Sequence, residues 1–147
     1  MFPKSITAVT LGVADVARSR AFYARLGWEA SEATETTVFI PLAGQMLMLF
    51  AAADLAQDQG RAPGALGTGA MTLARNFATE AEVDAAYALA LAAGGAALKR
   101  PEKVFWGGYS GYFADPDGHV WELAMNPFWG IAEDGTVRAA QSDTSSG

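Results

Sequence analysis

The sequence predicts an α+β fold. Two β-α-β-β-β modules have strands that form a cupped mixed sheet with the helices outside. Three observations predict it. The chain repeats itself: "ITAVTLGV" (6–13) and "TGAMTLAR" (68–75) align at an offset of 62, pairing Ala8 with Ala70, Thr10 with Thr72 and Leu11 with Leu73. Each copy is followed by a helix-period stretch that closes on a glycine, Gly27 or Gly94. Each helix is followed by three short strand-like runs.

The elements follow in order. After the first strand, "VARSRAFYARL" sets Val16, Ser19, Phe22, Tyr23 and Leu26 near one face. Asp15 precedes it and can accept the orphan N–H groups of the first turn. Strands are expected at 28–33, 36–42 and 45–50. The stretch 51–67, rich in Ala, Gly and polar residues, reads as a linker. In the second half, Thr79 and Glu82 have capping-box spacing ahead of a helix with Val83, Tyr87, Ala90 and Leu91 on one side. Strands are expected at 96–100, 110–114 and 119–124, with an insertion, "PEKVFWGGY", at 101–109. Beyond Pro127 the chain becomes irregular, with an Asp134-Gly135 turn signal and a tail, "AAQSDTSSG".

Composition bounds the class. With 147 residues, 51% hydrophobic and 18% charged, the chain suits one domain over 1–147 with a large core. Module one is expected at about 5–52, a linker at about 53–67, module two at about 68–128 and a C-terminal extension at 129–147. A net charge of −6 without any basic run speaks against nucleic-acid binding. The absence of cysteine removes disulfides, thiolate metal ligands and a cysteine nucleophile, and fits a cytoplasmic protein. No apolar run is long enough to span a membrane, and the start of the chain does not read as a secretory signal.

The informative stretch is "GYFADPDGHVWELA" (111–124). Asp115-Pro116-Asp117-Gly118 supplies turn chemistry, so the runs on either side should pair as a hairpin. Period 2 then puts Val120, Glu122 and Ala124 on one face and His119, Trp121 and Leu123 on the other. With helices over Trp121 and Leu123, Glu122 points to the concave side. A carboxylate there needs water, a donor, a metal or a ligand.

With "VTLGVADVARSRAFYARLGW" near the start and "GYFADPDGHVWELAMNP" near the end, the chain resembles the vicinal oxygen chelate superfamily over about residues 5–128. That superfamily holds glyoxalase, bleomycin-resistance and dihydroxybiphenyl dioxygenase-like proteins. The resemblance implies this fold and, commonly, a homodimer. Metal-holding members draw ligands from the first and last strands of both halves. Carried over, those positions are Ala8, Met48, Ala70 and Glu122, of which only Glu122 can hold a divalent ion. No metal and no other cofactor is therefore expected.

Other candidates are fewer. "VFWGGYSGYF" (104–113) interleaves aromatics with glycines, and Trp106 and Tyr109 flank the glycine pair as a candidate ligand-binding rim. Thr10 and Thr72 could offer hydroxyls to a ligand, and Met48 is a further ligand-binding candidate. His119, the only histidine, reads as a surface residue flanking the turn. No Gly-x-Ser-x-Gly elbow accompanies it, which argues against Ser-His-Asp hydrolysis. The expectation is a protein that holds a small organic molecule in the sheet cavity without a metal, with Glu122 available for acid–base chemistry. The alternative is a metal-dependent lyase, isomerase or dioxygenase of the same superfamily.

Overall fold

The structure, a computed structural model, describes residues 1–138; the tail expected at 139–147 lies outside the described residues. In chain order the elements are β1 (Ala8–Val13), α1 (Val16–Arg25), β2 (Glu32–Ala33), β3 (Thr37–Leu42), β4 (Gln45–Ala51) and α2 (Ala52–Asp58). Then come β5 (Thr72–Asn76), α3 (Glu80–Ala92), β6 (Ala96–Lys103), β7 (Tyr109–Ala114), β8 (Val120–Met125), β9 (Gly130–Ile131) and β10 (Val137–Arg138).

The two modules build the same sheet twice. Strand order is β1-β4-β3-β2 in one and β5-β8-β7-β6 in the other. In each, the strand before the helix runs parallel to the last strand, and the remaining pairs are antiparallel. The expected mixed sheet is thus two four-stranded mixed sheets, with β9 and β10 as a separate small hairpin. The Asp134-Gly135 turn closes that hairpin, with Gly135 at φ 89° donating its N–H to the Ala132 carbonyl.

Alternation along the strands buries one face of each sheet. Leu11, Val13, Val38, Ile40, Leu47 and Leu49 point to the helix side in module one, and Phe113, Trp121 and Leu123 do so in module two. These residues join Phe22 and Tyr23 of α1 and Val83 and Ala90 of α3 in one continuous core. The two modules therefore share their helix-side interior. Trp121 sits at the centre of it, with ring centroids 6.1 Å from Tyr23, 5.4 Å from Trp28 and 6.4 Å from Phe113.

Three local expectations are corrected. The first part of the linker, 53–67, is helical: α2 occupies Ala52–Asp58 and buries Ala56. Alanine-rich composition there signals helix propensity rather than irregular chain. The strand expected at 28–33 shrinks to Glu32–Ala33, because Trp28 turns into the core and stacks on Tyr23. The insertion at 101–109 is partly strand: β6 runs through Lys103, with register shifts between Ala97 and Lys99 and between Lys99 and Glu102.

Candidate functional site

The Asp115–Gly118 turn aligns β7 and β8 so that Tyr112 lies directly opposite Glu122. On the same sheet face β5 contributes Ala74, the parallel neighbour of Glu122, and Thr72, the neighbour of Val120. The Tyr112 hydroxyl donates to Glu122 Oε2 at 2.7 Å, and both residues are half-buried. The bond to Glu122, then burial and the carboxylate's charge, raise the Tyr112 phenol above its ordinary pKa. Tyr112 thus stays protonated at neutral pH and fixes the carboxylate from one side. The other carboxylate oxygen, Oε1, has no hydrogen-bond partner among the described residues.

Tyr112 was not among the residues singled out from the sequence. The signal was present: once the turn is placed at 115–118, antiparallel pairing brings 112 opposite 122 without further information.

Module one carries the matching face. Thr10, Met48 and Phe39 lie side by side across β1, β4 and β3, all half-buried. Aligning Gly44 with Gly118, both turn glycines at positive φ, makes Thr10, Met48 and Phe39 the counterparts of Ala74, Glu122 and Tyr112. This register corrects the repeat offset. Ala70 and Met71 precede β5, and the residue beside Glu122 is Ala74. The four positions where ligands would be sought are therefore Thr10, Met48, Ala74 and Glu122, and among the described residues no group of three or more His, Cys, Asp or Glu is placed to hold an ion.

The structure puts one aromatic candidate, Tyr109, across the sheet from Glu122. Tyr109 sits on the helix side of β7, and its hydroxyl donates to Asp84 Oδ1 of α3 at 2.7 Å. That bond, first among its causes, raises the Tyr109 phenol above its usual pKa. Trp106 lies in the β6–β7 loop with its indole folded onto Gly108, where an added Cβ would come within 2.0 Å of the ring. Phe105, Trp106, Phe128 and Trp129 are all largely exposed, and Phe128 lies beside Gly107.

His119 is corrected too. It is half-buried, and its Nε2 lies 2.7 Å from the Gly12 carbonyl oxygen, so it ties β8 to β1 rather than facing solvent beside the turn. The turn itself does the same on a larger scale. Asp117 Oδ1 accepts from Ala14 N at 2.8 Å and from Arg18 Nη2 at 3.0 Å, and its Oδ2 accepts from Ser19 Oγ at 2.8 Å. Asp115 accepts from the Tyr23 hydroxyl at 2.6 Å and from the backbone N–H groups of Asp117 and His119. The turn of module two thus grips the β1–α1 junction of module one.

Comparison with known proteins follows this geometry. The sequence model of the Glyoxalase/Bleomycin resistance protein/Dioxygenase superfamily matches residues 5–123. A glyoxalase-related enzyme from Fulvimarina pelagi is similar over 94% of this chain and 100% of its own, at 36% identity and TM-score 0.87. A lactoylglutathione lyase from Agrobacterium tumefaciens shares 26% identity over 88% of this chain and 98% of its own, with TM-score 0.68. A glyoxalase/bleomycin resistance protein/dioxygenase from Nocardioides, at 24% identity and TM-score 0.72 over 85% of both chains, shares the fold. Among curated proteins none matches the chain.

Proposed function

The chain belongs to the Glyoxalase/Bleomycin resistance protein/Dioxygenase superfamily, and from that premise we propose that it binds a small organic molecule against the Glu122 face without a metal ion. The observation that carries this reading is the Tyr112–Glu122 bond on a half-buried sheet face. Once a ligand or a second copy covers this face, the carboxylate is costly to bury unless donors meet it, and Tyr112 supplies only one. A ligand O–H, N–H or acidic C–H would meet the other oxygen, and proton transfer to Glu122 is the chemistry on offer.

The donor set does not fit a divalent cation. Thr10, Met48, Ala74 and Glu122 provide one carboxylate and one neutral hydroxyl, whereas zinc sites use three or four N, S or O ligands and harder ions more oxygens.

In the single chain this face is an open sheet surface. A second copy would close it, placing the Thr10–Met48–Phe39 face of one protomer over the Glu122 face of the other, with Thr72 at its edge. The half-buried apolar face of module one and the exposed aromatics at 105, 106, 128 and 129 support a homodimer. Trp106, carried on the loop between β6 and β7, would then stand at the rim. Negative net charge speaks against nucleic acid as a partner, and the absence of cysteine supports a cytoplasmic setting. No helix among the described residues is long and apolar enough to cross a membrane.

Two measurements test the proposal. Thermal-shift screening of wild type against small organic acids, amides and phenols should yield stabilising compounds whose effect disappears in Glu122→Gln and weakens in Tyr112→Phe. Elemental analysis of protein purified without chelator should find no stoichiometric Ni, Zn, Fe or Mn. One equivalent of tightly held metal, or a screen in which no compound's effect depends on Glu122, would overturn it.

A further inference from the structure

We infer a second small-molecule site on the opposite side of the module-two sheet, where the cavity between the end of α1 and α3 takes an aryl carboxylate. This site is independent of the Glu122 face. Trp121 and Leu123 point into it from β8, and Glu122, between them, points away.

The cavity has a volume of about 220 Å³ and opens to solvent. An apolar cavity of about 150 Å³ is enough to admit benzene, so one or two fused rings fit here. Its walls are aromatic: Trp28, Phe77, Phe113 and Trp121. These rings are held by one another, with Trp28 edge-on to Trp121 and Phe113 stacked on it at an interplanar angle of 5°. A preformed aromatic slot binds a flat apolar body without ordering its own walls first.

One charge lies at this cavity. Arg75, on the helix side of β5, holds its guanidinium 4.7 Å above the Phe77 ring and donates through Nη1 to the Asn76 carbonyl. Among the described residues the ion pairs are Arg18–Asp117 and Lys99–Glu102, and no carboxylate lies within 4.0 Å of Arg75. Asp134 lines the adjoining groove with Arg75 without coming within 4.0 Å of its guanidinium, and its Oδ1 accepts from the Thr136 N–H at 2.9 Å and hydroxyl at 2.6 Å. Among the described residues this half-buried guanidinium pairs with no carboxylate. Its planar fork matches a carboxylate through two parallel N–H···O bonds. An apolar ring joined to a carboxylate satisfies slot and cation together; a bare anion would leave the slot unfilled.

The test uses 2-naphthoate and its neutral isostere 2-naphthamide, titrated by calorimetry into the intact protein. Wild type should bind one naphthoate per chain, saturably, and bind the amide at least about tenfold more weakly, as expected for loss of a charge-assisted bond. Arg75→Met should lower naphthoate affinity to that of the amide. Ala86→Leu, which fills the cavity from α3, should abolish binding of both, with the circular dichroism melt showing an intact fold. Glu122→Gln should leave naphthoate binding unchanged. Equal affinity for acid and amide in wild type overturns the anion assignment and needs no variant. Failure to saturate overturns the site, and loss of binding in Glu122→Gln with retention in Ala86→Leu moves the ligand to the other face.

Discussion

Tyr23 shows how much one side chain carries. It is fully buried, yet its hydroxyl donates to Asp115 at 2.6 Å and accepts from the Trp121 indole N–H at 3.1 Å. Tyr23→Phe leaves two buried partners one bond short, and should cost about 1–3 kcal/mol, read as a lower urea midpoint at pH 7. Burial first, and the Asp115 charge second, push the Tyr23 phenol well above its ordinary value of 10.0. The unfolded chain releases this proton near pH 10 while the folded protein keeps it. Stability contributed by Tyr23 is therefore fully present below pH 10 and declines as pH rises beyond it. Urea titrations at pH 9 and pH 11 should show a shallower decline in Tyr23→Phe than in wild type; equal declines would mean that another group sets the alkaline limit. The sequence disclosed the turn-forming aspartates but not these duties, because their partners lie 92 to 103 positions away. Local turn chemistry carries no record of distant donors.

At the scale of elements, legibility followed capping. Asp15 accepts from Arg18 N at 3.0 Å and Thr79 from Glu82 N at 3.1 Å, and both helices were readable. The N-cap of α2 is Ala51, which makes no side-chain cap bond, so no start signal marked the helix. Thr79→Ala should cost about 1 kcal/mol, seen as a melting temperature lower by a few degrees and faster amide exchange in the first turn of α3. An unchanged melt would show that α3 is held by packing of Val83 and Ala90 alone. The Glu122 strand was readable for a similar reason: a strong turn signal fixed its register, and register fixed its face. The repeat at 68–75 misled by two residues because short apolar strands align almost as well when slipped by two.

At the scale of the whole molecule, the internal repeat predicted two modules but not how they meet. A strand with one face in the core and one face half-covered gives the same alternation whichever neighbour supplies the cover. The structure joins the modules through their helix sides and leaves the Glu122 face and its module-one counterpart open. Light scattering should therefore return twice the chain mass of 15.4 kDa at micromolar concentration. A mass that stays at one chain at every concentration would mean that ligands meet an uncovered sheet.

The grip of Asp115, Asp117 and His119 on the β1–α1 junction has a consequence for the chain's continuity. Five hydrogen bonds and a shared aromatic interior already hold the halves in register. The peptide between Gly60 and Gly69 then contributes mainly effective concentration. Protease nicking in that stretch, or separate expression of two fragments divided there, should yield pieces that reassemble into the native protein.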